Sequence, residues 1–267
     1  MNRLIGELSG TGIGCHVDGV CVNNISYADD MVLLSPSIGA LRRLVKICET
    51  YAEAHGLRYN ASKSEFMVFN TGAKSYLNVP DITLCDSPLK KVDKVRYLGH
   101  WVSDNLSDNV DIERERRALS VRCNMLVRRF SRCSEQVKAT LFKAFCQSFY
   151  TCGLWVSFTQ RTYGALRVQY NNAFRMLFGL PRYCSASLMF AEAQINCFYT
   201  IMRKRCASLL RRVRASSNSI LSVWTDQVKD SSSSKLYTVV REALDRNRWR
   251  QIVRSRCNPH IDHDPQI

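Results

Sequence analysis

Two adjacent carboxylates interrupt an apolar run near the start of the chain, and they constrain the local fold strongly. Residues 25–34 read Ile-Ser-Tyr-Ala-Asp-Asp-Met-Val-Leu-Leu, with strand-forming side chains on both sides of Asp29 and Asp30. Burying two unpaired carboxylates side by side is costly, so they would need a counter-charge, and a hard cation such as Mg²⁺ is suited to this. The pattern predicts a hairpin that holds both at its tip. An exposed acidic turn is the alternative, because Asp is common in turns.

The surrounding residues predict an α+β segment, with helix packed on a mainly antiparallel sheet. Short alternating runs flank Asp18-Gly19, which is a favourable hairpin turn. Ser37–His55 is a predicted helix, capped by Ser35 or Ser37 and ended by Gly56. Its apolar face consists of Leu41, Leu44, Val45, Cys48, Tyr51, Ala52 and His55. Further strands are predicted around residues 66–68, 82–85 and 95–102.

After Ser103 the pattern changes to helices. They are predicted over Asn109–Arg129, Ser134–Tyr150, Thr162–Gly179, Ser185–Ala193 and Cys197–Arg214. In the first of them the apolar positions are Val110, Ala118, Val121, Met125 and Leu126, among many arginines. Serine-rich stretches at 216–222 and 231–234 are predicted linkers, and the Arg-rich tail from Arg246 shows no packing pattern.

Charge is distributed unevenly along the 267 residues. Residues 1–100 hold 11 Lys/Arg and 10 Asp/Glu, whereas residues 101–267 hold 27 Lys/Arg and 13 Asp/Glu, for a total net charge of +15. A near-neutral part with an acidic site, followed by a strongly basic part, is typical of a protein that binds nucleic acid. A solvated basic surface or a disordered basic tail is the alternative.

The 12 cysteines include no C-x-x-C pair, which argues against a zinc ribbon or knuckle. The absence of a secretory leader indicates reduced thiols that serve as small core residues of an intracellular protein, in the cytoplasm or the nucleus. No apolar run is long enough to span a membrane. Cys257, His260 and His263 supply only three soft ligands, so a metal site in the tail is disfavoured.

Three blocks in a fixed order resemble reverse transcriptases. Tyr27-Ala28-Asp29-Asp30 resembles their YxDD hairpin, in the form typical of non-LTR retrotransposons and group II introns. Gly56–Glu65 resembles the block that follows, and Tyr97-Leu98-Gly99 resembles the block that supports the primer end. The resemblance implies the C-terminal part of a polymerase palm over 1–105 and a helical thumb-like region over 106–190. Residues 191–267 would be a basic, helical and partly disordered region.

The resemblance also implies an activity. It is RNA-directed DNA synthesis, a nucleotidyl transfer with two divalent ions (Mg²⁺ or Mn²⁺), an RNA template, a DNA primer and deoxynucleoside triphosphates. Asp29 would bind metal directly and Asp30 would be a weaker or outer-shell partner. Tyr27 would lie near the primer end, and Ala28 is small enough for close approach to the duplex. Lys63 would lie near the leaving pyrophosphate as a general acid; a surface lysine is the alternative.

Two further sets of residues are nucleic-acid candidates. Tyr97, Leu98 and Gly99 would support the primer, with Gly99 allowing close approach of a nucleic-acid backbone. An ordinary core strand with a bulge is the alternative. By helical spacing, a phosphate-facing stripe is also predicted, although each arginine alone could be a solvated surface charge. The stripe consists of Arg114, Arg117 and Arg128.

The same comparison predicts a gap. The family's earlier metal-binding Asp and its Gln-Gly block have no counterpart among the 26 residues before Tyr27. The expectation is therefore a chain that begins within the palm, holds metal weakly and has little or no activity alone. A catalytically inactive nucleic-acid-binding module and a non-functional relic are the alternatives.

Overall fold

A computed structural model describes residues 2–17, 19–69, 79–218 and 221 of the chain. These residues fall into two compact units. The first unit comprises Met1–Val95, Ser103–Asn105 and the described residues from Ser217 onward, and the second comprises Arg96–Val102 with Leu106–Ser216. The predictions for Asp18, the stretch 231–234, the tail from Arg246 and the set Cys257, His260 and His263 lie outside the described residues.

Two helices support the first unit. They are α1 (Asn2–Gly10) and α2 (Ile38–Ala54). The Oγ of Ser37 accepts a hydrogen bond from the backbone N–H of Ala40 at 3.2 Å, so Ser37 is the cap of α2. Gly56 follows the helix with φ +63°, a conformation that favours glycine. Both ends of the predicted helix are thus confirmed to within a residue or two.

The strands form five two-stranded pieces within the described part of the chain, and no continuous sheet joins them there. Three pairs have a determined antiparallel register, β5 pairs with β8 in parallel, and β9 pairs with β10. The mixed α+β class is confirmed, but the sheet is more fragmented than predicted. The strands are β1 (Cys15–Val17), β2 (Val20–Val22), β3 (Asn24–Tyr27), β4 (Asp30–Leu33), β5 (Glu65–Phe66), β6 (Thr83–Leu84), β7 (Ser87–Pro88), β8 (Lys90–Lys91), β9 (Lys94–Tyr97) and β10 (His100–Ser103).

A small apolar core fixes the β3–β4 hairpin against the helices. It consists of the buried residues Leu4, Leu8, Leu44, Cys48 and Tyr51. Met31 and Leu33 of β4 are partly buried against this core, so each stabilises the unit by less than the roughly 1.5–3 kcal/mol of full burial. The Nδ2 of buried Asn23 donates to the carbonyl oxygens of Leu8 and Ile13, at 2.6 and 2.8 Å. The start of the hairpin is therefore tied to α1.

Five helices build the second unit. They are α3 (Asn109–Phe130), α4 (Glu135–Cys146), α5 (Gln160–Phe178), α6 (Ala186–Glu192) and α7 (Phe198–Arg214). All five predicted helices are found, but α4 ends four residues before the predicted Tyr150. The chain leaves the helix there, because Phe149 and Thr151 have left-handed backbone conformations with φ +33° and +67°.

The core of this unit is rich in aromatic side chains. Phe142 lies 5.1 Å from Phe174 and 5.2 Å from Tyr170 by ring centroids, and Tyr170 stacks on Phe190. The hydroxyl of Tyr170 donates to the carbonyl of Asn196 at 2.8 Å. This cluster joins α4, α5, α6 and the start of α7 into one packed body.

Only part of the apolar set named for α3 is buried, because Leu126 is in the core whereas two valines of the set are exposed. Val121 is 68% exposed, and Val110 is also exposed. The face that packs inward instead carries Asp111, Ile112, Glu115, Leu119, Cys123 and Leu126. These positions recur with helical spacing, and so do the apolar positions named from the sequence. Two of the inward-facing positions are acids, however, and a pattern of apolar residues leaves them out.

The described cysteines are all free thiols, and several fill the cores as predicted. Burial raises the pKa of Cys123 to about 11 and those of Cys146 and Cys152 to about 12, so these thiols stay protonated near neutral pH. Among the described helices, none is both long enough and apolar enough to cross a membrane.

Candidate functional site

The two predicted metal-binding carboxylates lie at the turn of the β3–β4 hairpin. Tyr27 pairs with Asp30, so the loop between the strands consists of Ala28 and Asp29 alone. Ala28 has φ +55° and Asp29 has no positive φ, the combination of a turn that favours glycine at its first position. Asp29 is therefore in the loop, whereas Asp30 is the first residue of β4 and not at the tip as predicted.

The register of the hairpin determines which face carries Asp30. Met31 and Leu33 pack on the core, so Ser26 and Asn24 opposite them share the inner face. Tyr27 and Asp30 lie together on the other face, and Tyr27 is 65% exposed. The hairpin thus presents an aromatic ring and a carboxylate side by side on its outer face, away from the helices.

Both carboxylates are exposed, which corrects the premise that they are buried and need a counter-charge. Within the described residues, neither forms an ion pair with a Lys, Arg or His side chain. Two adjacent carboxylates are suited to one Mg²⁺ whose remaining ligands are water molecules and substrate phosphates. No cluster of three or more acidic, His or Cys side chains able to hold a metal is found across the described ranges.

Lys63 ends a short 3₁₀ turn, Ala61–Lys63, in the same unit. The Oδ1 of Asn60 accepts from the backbone N–H of Lys63 at 3.2 Å and from the Oγ of Ser62 at 2.7 Å. Asn60 therefore shapes the loop and leaves the Lys63 side chain exposed. No hydrogen bond or ion pair within the described residues joins Lys63 to Asp29 or Asp30.

The Leu98-Gly99 turn between β9 and β10 packs against Tyr150 in the second unit. Both turn residues have positive φ, +46° and +81°, as in the hairpin turns that suit strand twist. The Tyr150 hydroxyl donates to the carbonyl of Leu98 at 3.0 Å. A Cβ added at Gly99 would lie 2.9 Å from the Cε1 of Tyr150. The sequence predicted that Gly99 would allow close approach of a nucleic-acid backbone. In the structure the group that approaches Gly99 is the Tyr150 ring of the same chain.

We expect Gly99→Ala to destabilise the second unit. The left-handed backbone would cost about 1–2 kcal/mol, and displacement of the Tyr150 ring would add to this. Urea unfolding measures the change. The matched control is Gly164→Ala, since Gly164 lies in α5 with open space around it and alanine there should stabilise by about 0.5–1 kcal/mol. Equal effects of the two substitutions would contradict this account of the turn.

The predicted arginine stripe on α3 is only partly formed. The guanidinium of Arg114 is held by Asp111 (Nε–Oδ1 2.8 Å) and by Glu115 (Nη1–Oε2 3.0 Å), and its side chain is only 23% exposed. Arg114 is therefore engaged by two carboxylates of its own helix, and its contact with phosphate stays a prediction. Arg117 is 76% exposed but pairs with Glu113, and Arg128 lines a shallow depression with Val121 and Met125.

Asp111 is the centre of a buried polar network that sequence reasoning missed. Its side chain is fully buried and accepts hydrogen bonds from Trp155 Nε1 and Thr151 Oγ1, both at 2.8 Å. His100 Nδ1 lies 3.1 Å from its Oδ2. Burial alone would raise the pKa of Asp111, but the contacts from His100, Arg114, Trp155 and Thr151 outweigh burial and hold that pKa well below its usual range.

Glu115 extends this network by one helical turn. It is also buried and binds both Arg114 and Arg122. The sequence does contain a signal for it: Asp111 and Glu115 are four residues apart, and Ile112, Leu119 and Leu126 continue the same side of the helix. Acids in register with an apolar face indicate buried ion pairs when arginines are near.

The comparison with protein families finds a match in the N-terminal part of the chain. Residues 1–102 match the family model of reverse transcriptase (RNA-dependent DNA polymerase). The matched segment contains the β3–β4 hairpin, Lys63 and the Leu98-Gly99 turn. A search of curated proteins found no match for the chain. Residues 1–102 are therefore similar to a reverse transcriptase domain.

Proposed function

We propose that the chain takes part in RNA-directed DNA synthesis of the non-LTR retrotransposon type. In this proposal residues 1–105 act as the C-terminal part of a palm, and residues 106–190 act as a thumb. The main support is the β3–β4 hairpin, whose sequence lies within the family match and whose outer face carries Tyr27 and Asp30 next to Asp29. Two exposed carboxylates without a cationic partner among the described residues are available to a metal and a substrate.

Asp29 and Asp30 would hold the metal through their carboxylate oxygens. When bound, Mg²⁺ or Mn²⁺ supplies charge neutralisation at the transferring phosphate and a more acidic primer hydroxyl. Tyr27, on the same face as Asp30, would stack against the primer end or the incoming base, because an exposed aromatic ring is a stacking platform. The small Ala28 side chain would keep the tip of the hairpin clear for the duplex.

Three other positions complete the proposal. Lys63 would protonate the leaving pyrophosphate or stabilise its negative charge. Its side chain is exposed beside a loop that Asn60 shapes, so its ammonium group can reach a ligand. Tyr97, Leu98 and Gly99 would support the primer end through a turn that Tyr150 holds in one conformation. Arg117 and Arg128 would contact phosphates from the outer face of α3.

Primer extension on an RNA template tests this proposal. We expect the chain alone to give little synthesis, and any Mg²⁺- or Mn²⁺-dependent synthesis that it gives to fall by at least about 100-fold in Asp29→Asn, since this substitution removes the charge of a direct metal ligand. Asp86→Asn is the matched control, because Asp86 also lies in a two-residue loop, between β6 and β7, and is exposed. Synthesis that survives in Asp29→Asn as well as in Asp86→Asn would refute the proposal.

Metal binding can be measured without turnover. Titration of Mn²⁺ into the chain with a primer–template, followed by electron paramagnetic resonance, should show bound ion in the wild type and in Asp86→Asn. The double variant Asp29→Asn with Asp30→Asn should lose it. Equal binding by all three proteins would place the metal elsewhere.

A second candidate function is nucleic-acid binding without synthesis. The observation that favours it is the charge of the second unit, where residues 96–102 and 106–216 hold 20 Lys/Arg and six Asp/Glu. Salt-dependent binding of a primer–template with no synthesis under any metal would support this function over the first.

A further inference from the structure

We propose that the basic face of α7 is the main phosphate-binding surface of the second unit. Helix α7 carries six Lys/Arg and no Asp/Glu over Phe198–Arg214. The surface in question, here called the α7 basic face, consists of Lys204, Arg205, Arg211 and Arg212. All four side chains are exposed. The inference rests on the proposed nucleic-acid binding for its ligand class and assigns that binding to a particular helix.

Helix α3 holds as many arginines as α7 has basic residues, but most of them are neutralised internally. Glu113 forms ion pairs with Arg116 and Arg117. Asp111 and Glu115 both pair with Arg114. Glu115 also pairs with Arg122. The guanidinium of Arg116 makes two hydrogen bonds of 2.7 Å to Glu113. Only Arg128 and Arg129 of α3 keep an uncompensated charge among the described residues.

The partners of the α7 basic face are neutral. Lys204 Nζ donates to the side-chain oxygen of Asn196 at 2.9 Å, and Arg205 Nη2 donates to the carbonyl of Gln147 at 3.2 Å. Arg211 Nε makes a long contact of 3.4 Å to the carbonyl of Ala207. No carboxylate of the described residues forms an ion pair with any of the four. Their positive charges are therefore available to an anionic ligand.

Helical spacing places the four charges on one side. Lys204 and Arg211 are seven residues apart, as are Arg205 and Arg212, so the two pairs form adjacent columns. Met202 and Leu210 are buried, and they keep the apolar side of the helix in the core. The four residues span roughly 12 Å by helical rise, a length over which a duplex presents about seven phosphate charges.

This cluster of charges is better explained by binding to a phosphate backbone than by exposure to solvent alone. Clustered like charges repel one another and destabilise the folded unit unless a polyanion binds. Contacts of this kind are electrostatic and independent of sequence, and they release counterions from the nucleic acid. The α7 basic face should therefore control affinity and salt dependence but not base preference.

A pair of charge-matched quadruple variants tests the inference in the full chain. The first replaces Lys204, Arg205, Arg211 and Arg212 by Gln. The control replaces four exposed basic residues that are scattered over the same unit, namely Arg132, Lys143, Arg161 and Arg182. Both variants lose four charges, so net charge alone cannot distinguish them. Far-ultraviolet circular dichroism and melting curves check that both are folded.

The measurement is fluorescence anisotropy with an RNA–DNA primer–template between about 50 and 200 mM salt. We expect the α7 variant to lose at least about tenfold in affinity, and the slope of log K against log [salt] to fall by roughly 2–4. The control should lose less than about threefold. Equal losses in the two variants, or no loss in the α7 variant, would overturn the assignment to α7.

Two further outcomes separate this inference from the proposed function. If the wild type binds no nucleic acid at low salt, the proposed binding and the inference both fail. If binding persists unchanged in the α7 variant but falls in Arg117→Gln with Arg128→Gln, the proposed function stands and the inference fails. Binding of the wild type to vesicles of anionic phospholipid, with none to the primer–template, would also overturn it.

Discussion

The substitution Asp111→Asn is expected to destabilise the second unit by about 3–5 kcal/mol, a large share of the stability of a typical domain. The loss comes from removing one charge of a buried network, because Arg114 then keeps only Glu115 as its counter-ion and His100 loses the carboxylate beside it. The amide can still accept from Trp155 and Thr151, so the shape of the site is retained. Urea or thermal unfolding of the full chain, followed by tryptophan fluorescence, measures the change.

Glu113→Gln on the same helix is the matched control. Glu113 lies two residues from Asp111 and binds Arg116 and Arg117, but its side chain is 32% exposed. Hydrogen bonds from Arg116 and Arg117 lower the pKa of Glu113 to about 2. Solvent screens a pair of this kind, so the loss should stay below about 1 kcal/mol. Similar losses for Asp111→Asn and Glu113→Gln would refute the view that burial sets the difference.

The same network predicts a dependence of stability on pH. The pKa of Asp111 is lower in the folded protein than in the unfolded chain, so the unfolded chain binds its proton first as pH falls. The stability contributed by Asp111 is therefore fully present above its unfolded pKa and is lost as pH falls towards its folded pKa. Between about pH 5 and pH 2, wild-type stability should fall more steeply than that of Asp111→Asn.

The second large effect is expected for Phe142→Ala. Phe142 is completely buried among Tyr170 and Phe174, in the aromatic core that joins α4 and α5. Truncation removes these ring contacts and leaves a cavity, which should cost about 3–5 kcal/mol. The midpoint of urea unfolding should fall accordingly, with little change in the slope if the unfolded state is unaffected.

Phe145→Ala supplies the comparison, because Phe145 is on the same helix and is 41% exposed. The change in helix propensity is the same, so any difference between the two variants reports burial. We expect a loss of less than about 1.5 kcal/mol for Phe145→Ala. A larger loss there than for Phe142→Ala would show that the apolar face of α4 has been assigned wrongly.

Local patterns of residues were sufficient for much of the fold. Helix α2 was predicted with its cap and its end, because Ser37, an apolar face and Gly56 act within a few residues of one another. The start of α7 and the ends of α5 were also close to their predicted positions. The β3–β4 hairpin was predicted from strand-forming residues on both sides of Asp29 and Asp30, although burial was assigned to these two carboxylates and both are exposed.

Some of the errors originate in packing between distant segments. The apolar positions named for α3 left out Asp111 and Glu115, because these acids are buried only with Arg114, Arg122 and Trp155 around them. The aromatic contact of Tyr150 with Gly99 joins residues about fifty positions apart, and nothing in the local sequence of either indicates it. Arg114 was assigned to a phosphate because helical spacing shows the direction of a side chain but not its partner.

The sequence by itself determined the elements, the order of the reverse-transcriptase-like blocks and the excess of positive charge in the second half. These depend on periodicity, turn residues and composition, which act locally or sum along the chain. Only the tertiary structure decided which charges are free. Carboxylates form ion pairs with four arginines of α3, whereas none of the described residues forms one with the α7 basic face. Asp29 and Asp30 likewise have no cationic partner among the described residues. Whether a charge is compensated depends on distances between side chains, and these distances are defined only in the packed protein.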